Sequence, residues 1–202
     1  SLTSTNVGNL TETQIGSFTA TQIKPLSTTN LSHLDQAQAS ALTTTQIANL
    51  TTSQVNALNA TDIGELTATQ IGAMSGAQLS RLSNTAFGAL DTTHVSGLNT
   101  TQIQSFSAAQ LGSLTAADMT EFTETQLASL TATQVRGLTA TAVHALADTQ
   151  VASLTTAQVQ ALSTTSIADF DTTQIQAMTT TQIRAFSTAQ IQSLSANDVQ
   201  EF

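Results

Sequence analysis

Cysteine, tryptophan and tyrosine are absent from the chain, and proline occurs once, at Pro25. Without cysteine no disulfide or thiolate metal centre can form, so the fold must be held by packing and hydrogen bonds. Charge is scarce as well: 8% of the 202 residues are charged, four of them basic, and the net charge is −9. So few Lys and Arg exclude the electrostatic footprint needed for nucleic acid or an anionic membrane. There is no signal peptide and no apolar run long enough to cross a bilayer. Cysteine-free, lysine-poor and threonine-rich chains lean towards a secreted setting.

Chemistry-bearing groups are just as sparse. His33, His94 and His144 are the only histidines and stand at least 50 residues apart, too far for a local metal or proton-transfer motif. No calcium-loop spacing, nucleophile–base pattern or glycine-rich phosphate loop occurs. No catalytic, cofactor-binding or metal-ligating residue is therefore expected, and the chain is not expected to be an enzyme.

What the chain does contain is a period of eight. From Leu2, 25 octads follow without insertion or deletion, and Phe202 opens another. Leu42-Thr43-Thr44-Thr45-Gln46-Ile47-Ala48-Asn49 is typical. Position 1 is Leu, Phe or Met, and position 6 is a larger apolar residue except at Ala39. A period this regular overrides the prior for an ordinary globular domain and predicts one uninterrupted array over 1–202, part of something longer.

Neither a continuous helix nor a continuous strand satisfies that period. At 100° per residue, eight residues overshoot two helical turns by about 80°, which smears the apolar positions around the barrel. In a strand, positions 1 and 6 have opposite parity and would face opposite ways. The chain must turn once per octad, and the capping chemistry says how. Position 2 is Thr, Ser, Asp or Asn in 24 of 25 octads, Ala147 excepted, and position 5 is Gln in 16. That is a capping box, flanked by apolar residues placed as a hydrophobic staple. Eight of nine glycines fall at position 7 or 8, where a left-handed helix stop is expected.

Each octad thus reads as a helix of one to one and a half turns. Burying one Leu and one Ile or Val stabilises by about 3–6 kcal/mol, while ordering eight residues costs about 8–16 kcal/mol in backbone entropy. Stability must therefore belong to a stack of octads, and an all-α solenoid is predicted. The alternative is a β-solenoid with Thr-Gln-Ile as a short strand; alanine at positions 3 and 4 argues against it.

Departures from the consensus predict the size of the coil. Leaving His94 aside, glutamine is replaced at position 5 by Asn6, Asn30, Asp62, Ala86, Asp118, Ala142, Ser166 and Asp198, in octads 1, 4, 8, 11, 15, 18, 21 and 25. Charged residues near the ends of octads (His33, Glu65, Glu121, His144, Asp169 and Glu201) follow the same phase. The basic residues Lys24, Arg81, Arg136 and Arg184 recur at about twice that interval. A coil should hold about 3.4 to 3.5 octads, or 27 to 28 residues. Stacked at roughly 8–10 Å, seven such coils would make a rod on the order of 60–70 Å long.

Local expectations follow. Ala39 should leave a cavity or borrow a large neighbour, and Phe87 should fill volume beside Ala86. Glutamines at position 5 should bond one another along a column. Ser1 looks processed or internal to a longer chain, and the end at Asp198, Glu201 and Phe202 lacks a polar cap, so head-to-tail stacking of copies is expected. The sequons at Asn9, Asn30, Asn49, Asn59 and Asn99 are what chance gives in so threonine-rich a chain. Thr-x-Thr at positions 2 and 4 raises ice binding as a distant alternative, weakened by capping at position 2 and alanine at position 4.

Octads such as Leu66-Thr67-Ala68-Thr69-Gln70-Ile71 and Leu130-Thr131-Ala132-Thr133-Gln134-Val135 resemble the Leu-Thr-x-x-Gln-Ile-x-x tracts of very large repetitive secreted or surface proteins of bacteria, adhesin-like or RTX-like. The glycine- and aspartate-rich calcium nonapeptide of RTX proteins is missing, and no functional residue carries over. The resemblance implies an extracellular or cell-surface location. Together with the period it leads to the expectation of a filament subunit, sheath or adhesin stalk whose main partner is itself. The other reading is a scaffold whose charged edge docks a protein or glycan.

Overall fold

The structure, a computed structural model, describes residues 3–195. Among the described residues the chain forms 24 helices of four to six residues and no strand, one helix in each of octads 1 to 24. The β-solenoid alternative is thereby excluded. The expectations attached to Ser1, Asp198, Glu201 and Phe202 lie outside the described residues. No helix is long and apolar enough to cross a membrane.

Each helix begins where the capping chemistry places it. In octad 6, Thr43 is extended at φ −74°, ψ 156° and caps Thr44–Ala48. Its Oγ1 accepts from the Gln46 N–H at 3.2 Å, and the Gln46 Oε1 accepts from the Thr43 N–H at 2.6 Å. The same reciprocal pair closes most octads. Ala147 has no oxygen to offer, so Asp148–Ser153 keeps only half the box, the Ala147 N–H donating to Gln150 at 2.8 Å.

Helix ends depart from the glycine expectation. No described residue, glycine or other, has positive φ. The helix stops because two consecutive residues turn extended, as at Leu154 (φ −61°, ψ 136°) and Thr155 (φ −72°, ψ 158°). The last turn closes by a tight bond from the position-1 N–H to the position-6 carbonyl, 3.2 Å from Leu154 to Val151. Burying Leu at position 1 while capping at position 2 already redirects the chain, so a left-handed residue is not needed.

The fold divides into two compact units, Ser1–Ser105 and Phe106–Phe202. In both, each helix packs on the helix three octads away: in the first unit Gln36–Ser40 on Ala60–Glu65, in the second Ala132–Arg136 on Thr156–Ala161. Residues that touch across coils are separated by 25 residues (Gly16 and Ala41, Gly112 and Gly137) or by 28 to 31 (the glutamine bonds below). A coil therefore takes about 28 residues, the size inferred from the breaks at position 5.

The core of each unit is a narrow column. Position-6 side chains such as Ile47, Ile71, Leu111 and Val159 are fully buried at 0% exposure, and position-1 leucines form the ring around them. Ala39, buried in that column, borders a cavity of about 20 Å³ lined also by Leu31, Leu34, Leu42, Ile47 and Asp62. The shortfall predicted at octad 5 is thus a hole. Ala39→Val should fill it and stabilise the first unit by about 1 kcal/mol, from added burial and the lost void. A raised midpoint in urea unfolding checks this.

Candidate functional site

The conspicuous polar feature of both units is the buried glutamine at position 5. Gln158, 1% exposed, shows the arrangement. Its N–H donates to the Thr155 Oγ1 at 3.3 Å, and its Oε1 accepts from the Thr155 N–H at 2.7 Å. Its Nε2 then donates to the carbonyls of Leu127 and Leu130, 31 and 28 residues back, at 2.7 and 2.8 Å. One side chain closes its own helix and ties it to the coil beneath. In the first unit Gln46 does the same to Ile15 and Phe18 at 2.9 and 2.7 Å, and Gln70 to Ala39 and Leu42 at 2.8 and 2.7 Å.

These bonds correct the expectation that glutamines pair with each other. The amide reaches main-chain carbonyls because the octad turn leaves the position-1 carbonyl without a helical partner. A buried carbonyl without a partner is costly, and the coil above supplies the donor. We call this arrangement the clamp.

The position-5 exceptions sort by what they can still do. His94 reproduces the clamp in an imidazole: its Nδ1 meets the Asp91 N–H at 3.2 Å and its Nε2 meets the Leu66 carbonyl at 2.8 Å. Nε2 thus takes the place of the amide nitrogen, while Nδ1, which also stands 3.0 Å from the Asp91 Oδ1, takes that of the amide oxygen. His94 fell outside the phase of the other exceptions, and this is the reason. Asp62 keeps the box, accepting from the Asn59 N–H at 2.8 Å, but meets the coil beneath only through the Ser32 hydroxyl at 3.0 Å. Ala86 and Ala142 are buried and carry no polar group, and Ser166 bonds to Ser163 within its own octad at 2.8 Å.

The other two histidines are exposed. His33 bonds the Thr29 carbonyl at 2.7 Å. His144 lies close enough to Asp171 that its positive charge helps hold that carboxyl low. Among the described residues no group of three or more His, Cys, Asp or Glu is placed to hold a metal ion. Of the five sequon asparagines, Asn59 and Asn99 cap helices and Asn30 is buried, while Asn49 donates to the Thr45 carbonyl at 2.9 Å.

Asp171 illustrates the capping electrostatics. The Gln174 N–H and the Thr173 hydroxyl, both donating to it, hold its carboxyl below the usual aspartate range, against a smaller opposing effect of burial. A lowered folded pKa stabilises above the unfolded value near 4 and loses that contribution as pH falls through the lower folded value. Asp171→Asn should therefore differ from the parent in acid sensitivity: the parent loses this increment on acidification below about pH 4, the variant does not. Urea midpoints from pH 7 to pH 2 measure it.

Against this geometry the comparisons with known proteins are narrow. A family model described as the ALTTAQ repeat matches residues 152–187 and 167–201. The chain is similar to that repeat over this stretch. The matched segment includes Leu154-Thr155-Thr156-Ala157-Gln158, which is the cap and clamp just described. No curated protein matches the chain. The tandem repeat is thus matched by an independent family, in residues whose roles here are holding the backbone.

Proposed function

We propose that the chain is a non-enzymatic structural protein, a clamped helical solenoid serving as a stalk or filament element of an extracellular or cell-surface structure. The carrying observation is where the polar groups go: position 2 caps its own helix, and the buried glutamine of position 5 binds the coil beneath. A clamp repeated in coil after coil favours length and regularity over a reaction centre. Head-to-tail association of copies fits the same chemistry, because any coil laid on another can offer amides to open position-1 carbonyls. The extracellular setting is supported by the absence of cysteine and by the resemblance to repetitive surface proteins.

Ice binding remains the distant alternative, because position 2 is consumed in capping and position 4 is alanine in several octads, such as Ala37 and Ala77. Electron microscopy and sedimentation of the purified chain test the main reading. Filaments with an axial repeat set by the coil rise, roughly 8–10 Å, are expected as concentration rises. Monomers at every concentration would contradict end-to-end stacking and leave the docking scaffold as the better account.

A further inference from the structure

At octad 8 the first unit lacks the clamp, and charge gathers beside it. Asp62 stands in octad 8 where glutamine would reach the carbonyls of Leu31 and Leu34 by the usual 31- and 28-residue register. In its place two hydroxyls cross, that of Ser32 to the Asp62 Oδ2 at 3.0 Å and that of Ser40 to the Glu65 carbonyl at 3.3 Å. The cavity of about 20 Å³ beside Ala39 lies at this same place, bordered by Leu34, Asp62 and Glu65. Asp35, which caps Gln36–Ser40, sits on the coil that packs against Ala60–Glu65. Two carboxylates of one helix therefore lie over the coil that carries a third, at a boundary where the glutamine clamp is missing and packing is incomplete.

We propose that this edge is a hinge line, where neighbouring coils part under the mutual repulsion of Asp35, Asp62 and Glu65 while the glutamine-clamped edges of the same coils stay closed. The charged groups facing Glu65 are few. Helix Ala60–Glu65 packs against Gln36–Ser40, bearing Asp35, and against Asn84–Phe87, bearing no titratable group. No Lys or Arg occurs in octads 4, 5, 8 or 11, and His33 is exposed and bonded to Thr29. Nothing cationic among these elements offsets the three acids. Burial first, then the charges of Asp62 and Asp35, push the Glu65 carboxyl above its usual range. A carboxyl raised in this way takes up its proton early as pH falls, so repulsion is full at neutral pH and fades towards about pH 4. The edge is open in the first condition and closed in the second. This inference does not depend on filament formation, since it concerns coils within one chain.

Amide hydrogen exchange on the whole chain tests it. Segments 31–37 and 58–65, at the edge and free of clamp donors and acceptors, are compared with 46–55 and 70–79, where Gln46, Gln54, Gln70 and Gln78 clamp. At pH 7, corrected for intrinsic chemistry, the edge segments should exchange about tenfold faster, and the gap should narrow as pH falls. Asp62→Gln restores the consensus and should slow the edge to the rate of its neighbours. Glu65→Gln, at a half-buried site, leaves the clamp missing but should flatten the pH dependence. If Asp62→Gln does not fold, Glu65→Gln carries the test alone. Equal protection of all segments at pH 7 would overturn the hinge, as would edge rates that the folded variants leave unchanged.

Discussion

Replacing Gln158 with Glu should destabilise the second unit by about 3 kcal/mol or more at neutral pH, although only one atom changes element. The retained oxygen Oε1 would still accept from the Thr155 N–H, so the capping box survives. The other oxygen would face the carbonyls of Leu127 and Leu130, which now receive N–H bonds at 2.7 and 2.8 Å. Three acceptors would meet at a site 1% exposed, with no donor among them. Burial raises the pKa of the introduced carboxyl, and its protonated form can donate one bond to a carbonyl. Part of the loss should therefore return on acidification, which a packing defect would not do. Gln22→Glu is the control, since Gln22 is exposed and forms the box at 2.8 Å; its change should stay within about 0.5 kcal/mol. Urea midpoints of both variants at pH 7 and near pH 4.5 decide the matter.

The second large effect separates glycines that look alike in the sequence. A Cβ at Gly137 would stand 2.7 Å from the Ala108 carbonyl oxygen and 2.9 Å from the Ala108 Cβ, a backbone collision between successive coils. Gly137→Ala should cost about 1–3 kcal/mol, because the coils must separate to admit one methyl. Gly64, inside helix Ala60–Glu65, has nothing within 4 Å of such a Cβ. Gly64→Ala should instead stabilise by about 0.5–1 kcal/mol through helix propensity alone. Opposite shifts of melting temperature for these two changes would confirm that close coil approach, not turn geometry, requires glycine at Gly137.

The local design of the fold was legible because it depends on residues three or four apart. Thr43 with Gln46 states the helix start, and Leu42 with Ile47 states the staple, without reference to any other octad. The coil size was legible for a different reason: the absence of Gln at Asn30, Asp62 and Ala86 recurs at the superhelical period. What the sequence could not show is what the Gln amide meets, because Leu127 and Leu130 become neighbours of Gln158 only once a coil of about 28 residues closes. The glycine reading failed at the same level. Position 7 or 8 suits a left-handed stop in an isolated helix, but in the stack Gly112 and Gly137 approach backbone across coils. His94 read as an anomaly, and only its two ring bonds show it to be a substitute for glutamine.

Everything in this account depends on the amide of position 5 crossing from one coil to the next. A crystal structure of the chain at side-chain resolution measures this directly. The Gln158 Nε2 should stand within about 3 Å of the Leu127 and Leu130 carbonyls, with equivalent contacts at Gln46 and Gln70. Glutamine amides turned to solvent, or Thr-Gln-Ile segments running as strands, would contradict it.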